Sequence, residues 1–185
     1  MIQEVLQDAG VKMDKAVGTL KNELMKVRTG RASSSLLDGI SVEYYGAVTP
    51  LNQLASITVP ESRLIVVQPW DSGSIGDIEK AILKANIGLT PSNDGKLIRL
   101  SVPPLTEERR RDIVKQVGKT CEDYKVGIRN IRRDANEDMK TFKKDGDISE
   151  DDMFKGQEDV QKLTDSHIKT IDSINKEKEK EILEF

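Results

Sequence analysis

Pro103-Pro104-Leu105-Thr106-Glu107-Glu108-Arg109-Arg110-Arg111 is the stretch on which the organisation of this chain turns. Two prolines fix φ and withhold two backbone donors, so whatever precedes them ends stiffly. Thr106 can then cap a helix, with Glu107 and Glu108 placed in its first turn to complement the dipole. Downstream, Ile113, Val117, Cys121, Tyr124, Ile128, Ile131, Ala135, Met139 and Phe142 follow at steps of three or four. That spacing predicts one helix with a single buried stripe, running to about Lys144 and so about 39 residues or ~58 Å long. Asp145-Gly146-Asp147 reads as a turn. Ser149 with Asp152 resembles a capping box that starts a last helix carrying Val160, Leu163, His167, Ile171, Ile174, Lys178 and Ile182.

Working back from the prolines, the character of the chain changes. Ser41–Tyr45, Ser56–Val59, Leu64–Val67 and Leu97–Val102 are β-branched or aromatic runs bounded by Gly and Pro, and predict strands. Ile75, Ile78, Ala81, Ile82 and Ala85 predict a short helix, and Asn93-Asp94-Gly95 a turn. All six prolines lie between residues 31 and 105. Before them, Ile2, Leu6, Ala9, Met13, Ala16, Leu20, Leu24 and Val27 predict a helix from Ile2 to Thr29, with Gly30 in a left-handed C-cap. Gly10 and Gly18 interrupt it at up to ~1 kcal/mol each against alanine. Three amphipathic helices must bury their stripes against one another. The expected fold is therefore α+β: a long three-helix bundle from residues 1–30 and 106–185, with a small β/α/β domain of residues 31–105 inserted between its first two helices. The two connections, at Gly30 and at Pro103-Pro104, would form a two-stranded hinge.

Composition narrows the function. Aromatic residues make up 4% and charged residues 33%, a balance that suits solvated amphipathic helices better than a compact enzyme core. No stretch reaches ~18 apolar residues, so no membrane span is expected. The N-terminus lacks the basic-then-apolar pattern of a signal peptide, and the lone Cys121 fits a reducing compartment, so a cytoplasmic location is expected.

The net charge of -3 hides a sorting by segment. Residues 106–144 carry 12 basic and 8 acidic side chains, whereas residues 145–185 carry 6 and 13. Every arginine lies at or before Arg133. On a helical wheel with Ile128 at the origin, Arg132, Lys125, Asn136, Arg129, Lys140 and Arg133 fall between roughly 40° and 140°, one strip beside the buried stripe. Arginine's planar fork suits phosphate and base edges, so this strip is a candidate row of RNA contacts. A solvated face with surface ion pairs is the plainer reading. Arg109-Arg110-Arg111 is a second cluster spread around its helix, and Arg28 and Arg31 flank Gly30.

Catalytic and metal signals fall short. His167 is the one histidine and lies on a packed side, and Cys121 lies on the core stripe. Gly88 to Lys96 has the wrong spacing for a phosphate loop, with Leu97 where a hydroxyl belongs. Asp145, Asp147, Ser149 and Asp151 start like a calcium loop, but Gly156 stands where its bidentate glutamate belongs. No catalytic residue, metal site or cofactor is expected. Trp70 reads either as packing within the inserted domain or as a surface anchor.

Several segments together resemble the bacterial ribosome recycling factor family. They are Val27-Arg28-Thr29-Gly30-Arg31-Ala32-Ser33, Leu36-Leu37-Asp38-Gly39-Ile40, Val42-Glu43-Tyr44-Tyr45-Gly46, Pro103–Arg110, Ile128-Arg129-Asn130-Ile131-Arg132-Arg133-Asp134-Ala135 and Val160–Asp165. The resemblance spans the whole chain. It implies an L-shaped arrangement of bundle and inserted domain, and a non-enzymatic monomer. Such a factor binds the ribosome after termination and, with elongation factor G and its GTP, splits the subunits apart. It implies that the bundle contacts large-subunit ribosomal RNA, chiefly through Arg129, Arg132 and Arg133. The helical strip adds Lys125 to the expected RNA contacts, and Arg28 and Arg31, whose segment maps onto the hinge and its surroundings, complete them. It places a hinge at Thr29, Gly30, Pro103, Pro104, Leu105 and Thr106, and turns the inserted domain toward elongation factor G. Two rivals remain on the residues alone: a helical protein that pairs with another protein's helices, and an RNA-processing enzyme.

Overall fold

The computed structural model describes residues 1–184; Phe185, the last residue of the expected bundle segment, lies outside them. The chain divides into two units, Met1–Val27 with Arg110–Glu184, and Arg28–Arg109.

The first unit holds three long helices: α1 (Ile2–Met25), α3 (Glu107–Asp145, whose first turn precedes the unit's boundary) and α4 (Glu150–Leu183). Ala9, Ala135, Met139, Met153 and Val160 form one core cluster drawn from all three, with Ile2, Leu6, Ile131 and Leu163 packed around it. A Cβ built on Gly10 of α1 would meet Leu163 of α4, and one on Gly156 would meet Ile2, so α1 and α4 run in the same direction. Tyr124 of α3 bonds Glu23, and Arg132 bonds Gln161, so α3 runs against both.

The caps form largely as the sequence predicts. Thr106 Oγ1 accepts from the Arg109 N–H at 3.2 Å, and Ser149 Oγ from the Asp152 N–H at 3.1 Å. The first helix, however, ends at Met25 and not at Thr29. The N–H groups of Lys26 and Val27 bond the carbonyls of Glu23 and Leu24, three residues back, which tightens the last turn. Thr29 is buried in the second unit, and Gly30, at φ +80, belongs to the irregular segment that leads away and not to a helix cap. The glycines leave α1 and α3 unbroken.

The second unit contains a hairpin of β1 (Ser41–Tyr44) and β2 (Ala47–Pro50) and an antiparallel sheet in the order β3-β4-β6-β5. Its strands are Ala55–Glu61, Leu64–Pro69, Ile98–Ser101 and, for β5, Pro91–Asn93. The α2 helix (Ile75–Lys84) buries Ile78 and Ile82, one turn apart, in the same core. In β4 and β6 the fully buried residues face one another in register, Ile65 opposite Leu100 and Val67 opposite Ile98. Period-two alternation thus puts both pairs on one face. Two strands, β2 and β5, were not expected from the sequence. The hairpin closes through Tyr45 and Gly46, both at positive φ, the geometry of a two-residue primed turn. Pro60 is accommodated in β3, an edge strand whose pairing skips between Thr58 and Glu61. Trp70 is 69% exposed and so belongs to the surface of the unit.

Candidate RNA-binding face

The predicted basic strip lies on the flank of α3 that borders α4. Its members differ in how their charge is already engaged. Lys125 is the most committed. Its ammonium bonds Asp172 on α4 and lies 3.6 Å from Glu122. The Asp172 carboxylate, more than the opposing effect of burial, holds this ammonium's pKa above its ordinary value. Arg129 pairs with Glu122 at 3.2 Å.

Arg132 and Arg133 are held differently. Arg132 Nη1 donates to Gln161 Oε1 on α4 at 3.0 Å, and Gln161 Nε2 donates in turn to Asp165 at 2.8 Å. Arg133, exposed, reaches the Asn130 amide oxygen at 3.4 Å. Among the described residues no carboxylate bridges either guanidinium, so both keep their charge for an outside anion. The fixed fork of each can then meet a phosphate. Asn136 lies between them and Lys140, with its Oδ1 buried and unbonded. A flank of this kind gathers phosphates by neutralisation and counterion release, with binding that weakens as salt rises.

The other expected residues lie in the second unit. Arg28 donates through Nη2 to the Ile87 carbonyl oxygen. Gly88, at φ +76, makes room for it, since a Cβ there would stand 3.1 Å from Arg28 Nη1. Arg31 is exposed on the same connection. Thr29 and Gly30 run beside Leu105, whose Cγ would be 3.3 Å from a Cβ at Gly30. The Ala32 N–H bonds the Ser62 carbonyl at 2.7 Å and the Val102 N–H bonds that of Arg63 at 2.9 Å, so the same turn between β3 and β4 holds both connections. Pro103, Pro104 and Thr106 are exposed beyond it.

Sequence reasoning missed the residues of α4 that set these states. Asp172 and Gln161 decide which cations of α3 are spent, and they are distant in sequence. The one available signal was the acid excess of the last helix. His167 is half-buried, with Nδ1 2.7 Å from the Leu163 carbonyl and Nε2 2.7 Å from Asp14 of α1, so it ties α4 to α1. Cys121 is buried on the core stripe, and burial pushes its thiol pKa up. A helix interior and a raised pKa make it a poor nucleophile. No helix among the described residues is long and apolar enough to cross a membrane.

Comparison with known proteins now decides the family. The sequence profile of the ribosome recycling factor family matches residues 20–183. The chain belongs to the ribosome recycling factor family. The ribosome-recycling factor of Desulfosudis oleivorans is 64% identical over 185 residues, covering 100% of both chains. That of Bacillus subtilis is 58% identical over 184 residues, again across 100% of each. A solution structure of a ribosome recycling factor superposes with a TM-score of 0.78 at 42% identity, over 100% of this chain and 98% of that one. A second, the Thermus thermophilus ribosome recycling factor placed with Escherichia coli elongation factor G on the post-termination complex, gives 0.65 at 43% identity over 99% of both. Membership makes the chain a non-enzymatic translation factor that works in ribosome recycling, and the α+β fold of helical bundle and small β domain is that of its structural neighbours.

Proposed function

We propose that this chain, together with elongation factor G and GTP, splits post-termination ribosomes into subunits and releases them from mRNA for a new round of translation. The observation that carries the reading is the pair Arg132 and Arg133, held by neutral amides on one flank of an unbroken 39-residue helix. The bundle, residues 1–30 and 106–185, is the domain that binds large-subunit ribosomal RNA. Arg132 and Arg133 are its leading contacts and Arg129 follows, because Glu122 must release it. Lys125, tied to Asp172, supports the strip from behind. Arg28 and Arg31 extend the binding surface on either side of Gly30, and the inserted domain, residues 31–105, faces elongation factor G. Thr29, Gly30, Pro103, Pro104, Leu105 and Thr106 form the hinge. A force applied to the inserted domain needs a stiff element to carry it, and proline-free helices provide one. GTP is consumed by elongation factor G, and the chain acts as a monomer in the cytoplasm without a cofactor of its own.

The test uses purified post-termination ribosomes, elongation factor G and GTP, with splitting followed by light scattering. Subunits should separate only when the chain is added. Ribosomes that stay whole in its presence, or split equally well without it, overturn the proposal.

A further inference from the structure

Charge on α3 is sorted between its two flanks. The basic strip borders α4, whereas Asp123, Asp134 and Asp138 lie on the opposite flank, along the groove that α3 makes with α1. Near Tyr124 this groove opens to about 310 Å³ with an apolar floor of Ala16, Gly127 and Ile131. Gly127 leaves it open, for a Cβ there would meet nothing within 4 Å. Among the described residues lining the groove, the one cation is Lys12, and Asp8 holds it at 2.6 Å. Asp123 borders this opening, and Asp134 and Asp138, also exposed, line a narrower stretch of the same groove beside Ile131, where Lys12 feels their charge.

We propose that the groove between α1 and α3 is a docking site for a basic, partly apolar segment of a protein partner. Such a segment sets apolar side chains against Ala16, Gly127 and Ile131 and its lysines or arginines against Asp123, Asp134 and Asp138. The match of a negative rim to a positive partner argues for this occupant, because like charge along the rim turns nucleic acid away. The site is separate from the arginine flank, so the two partners bind α3 at once from opposite sides.

The probe is a fluorescein-labelled peptide of twelve alternating lysine and leucine residues, added to the full chain. Binding is read by anisotropy and mapped by amide chemical shifts. Shifts should centre on Ala16, Gly127 and Ile131. Gly127→Leu, which fills the floor without touching charge, should weaken binding at least tenfold, as should Asp134→Asn with Asp138→Asn. Glu158→Gln, a charge removed from α4, should leave it unchanged. Circular dichroism checks that each variant folds, and the Asp134/Asp138 pair tests the rim if Gly127→Leu does not. Shifts centred elsewhere, equal binding by the folded groove variants, occupation of the groove by an oligoribonucleotide, or a dimer of the chain that closes the groove would each overturn the proposal.

Discussion

The interiors of the two units solve the same problem in different ways. In the second unit, Ile65 faces Leu100 and Val67 faces Ile98 across neighbouring strands, while Ile78 and Ile82 of α2 share their core. Each of these side chains is fully buried, an arrangement worth ~1.5–3 kcal/mol per residue against exposure. The bundle instead spreads a narrow stripe along three helices, with charged flanks beginning one residue to either side. A layered core concentrates stability at a few positions; a stripe distributes it and leaves most of the helix surface free for binding. The sharpest break of this comparison is Ile98→Ala, which should cost ~2–5 kcal/mol, whereas Ile131→Ala, half-buried in the bundle, should cost less. Urea unfolding followed by circular dichroism reads both. Equal losses would mean that the stripe is as concentrated as the sheet.

The bundle is packed most tightly around one of its glycines. A Cβ on Gly156 would stand 2.7 Å from Met139 Sδ and 3.2 Å from Ile2 Cγ2, where all three helices converge. Met139 is itself fully buried and has little room to yield. Gly156→Ala should therefore destabilise by ~1–3 kcal/mol. Gly18 offers the contrast, since a Cβ there meets nothing within 4 Å. Gly18→Ala should raise stability by up to ~1 kcal/mol through helix propensity alone. Thermal unfolding of the two variants should move in opposite directions, and a shared direction would remove Gly156's special place in the seam.

These differences track what could be read in advance. Stripes at steps of three or four gave α3 and α4 to within a residue or so at each end, because capping residues such as Thr106 and Ser149 act locally. The end of α1 was missed because Val27 continues the apolar spacing and Gly30 has the look of a C-cap, while the backbone already tightens at Lys26. Strand β2 escaped because Ala47, Val48 and Pro50 are exposed and show no alternation. It exists through its pairing with β1 across the Tyr45-Gly46 turn, and β5 is only three residues long. The candidate site divides in the same way. The angular position of Arg132 follows from helical geometry, but its partner Gln161 lies 29 residues away and Lys125's partner Asp172 on a different helix. Local rules place a side chain on a face; only packing decides what neutralises it.

A smaller effect is expected where polar turns end the sheet. The Leu97 and Lys96 N–H groups donate to Asp94, and Arg99 lies beside it, which together lower its carboxyl pKa to about 2 from 3.8. Because the folded value is the lower one, this carboxylate stabilises the fold above 3.8, and that contribution is lost as pH falls from 3.8 toward 2. Acid titration of stability should show a steeper fall over that window in the native sequence than in Asp94→Asn. Superimposable curves would show that the turn holds without its charge. Asp94 is an exposed group, so the effect stays well below those of Ile98 and Gly156.

The smallest effect on folding belongs to the residue expected to matter most for binding. Arg132 makes one bond, to a neutral amide at the edge of the bundle, and packs no core position. Arg132→Ala should thus shift unfolding by no more than ~1 kcal/mol. On the ribosome the same change removes a guanidinium that no carboxylate among the described residues neutralises. Ribosome binding should weaken markedly, and the slope of binding against salt should fall by about one counterion. Lys125→Ala supplies the opposite profile. It strands Asp172 and loosens the contact of α3 with α4, so it should cost more stability and less binding than Arg132→Ala. If both substitutions unfold the protein to the same degree, Arg132 is part of the frame. If they separate as described, the flank divides between a lysine that fastens the helices and arginines that the fold leaves free to bind.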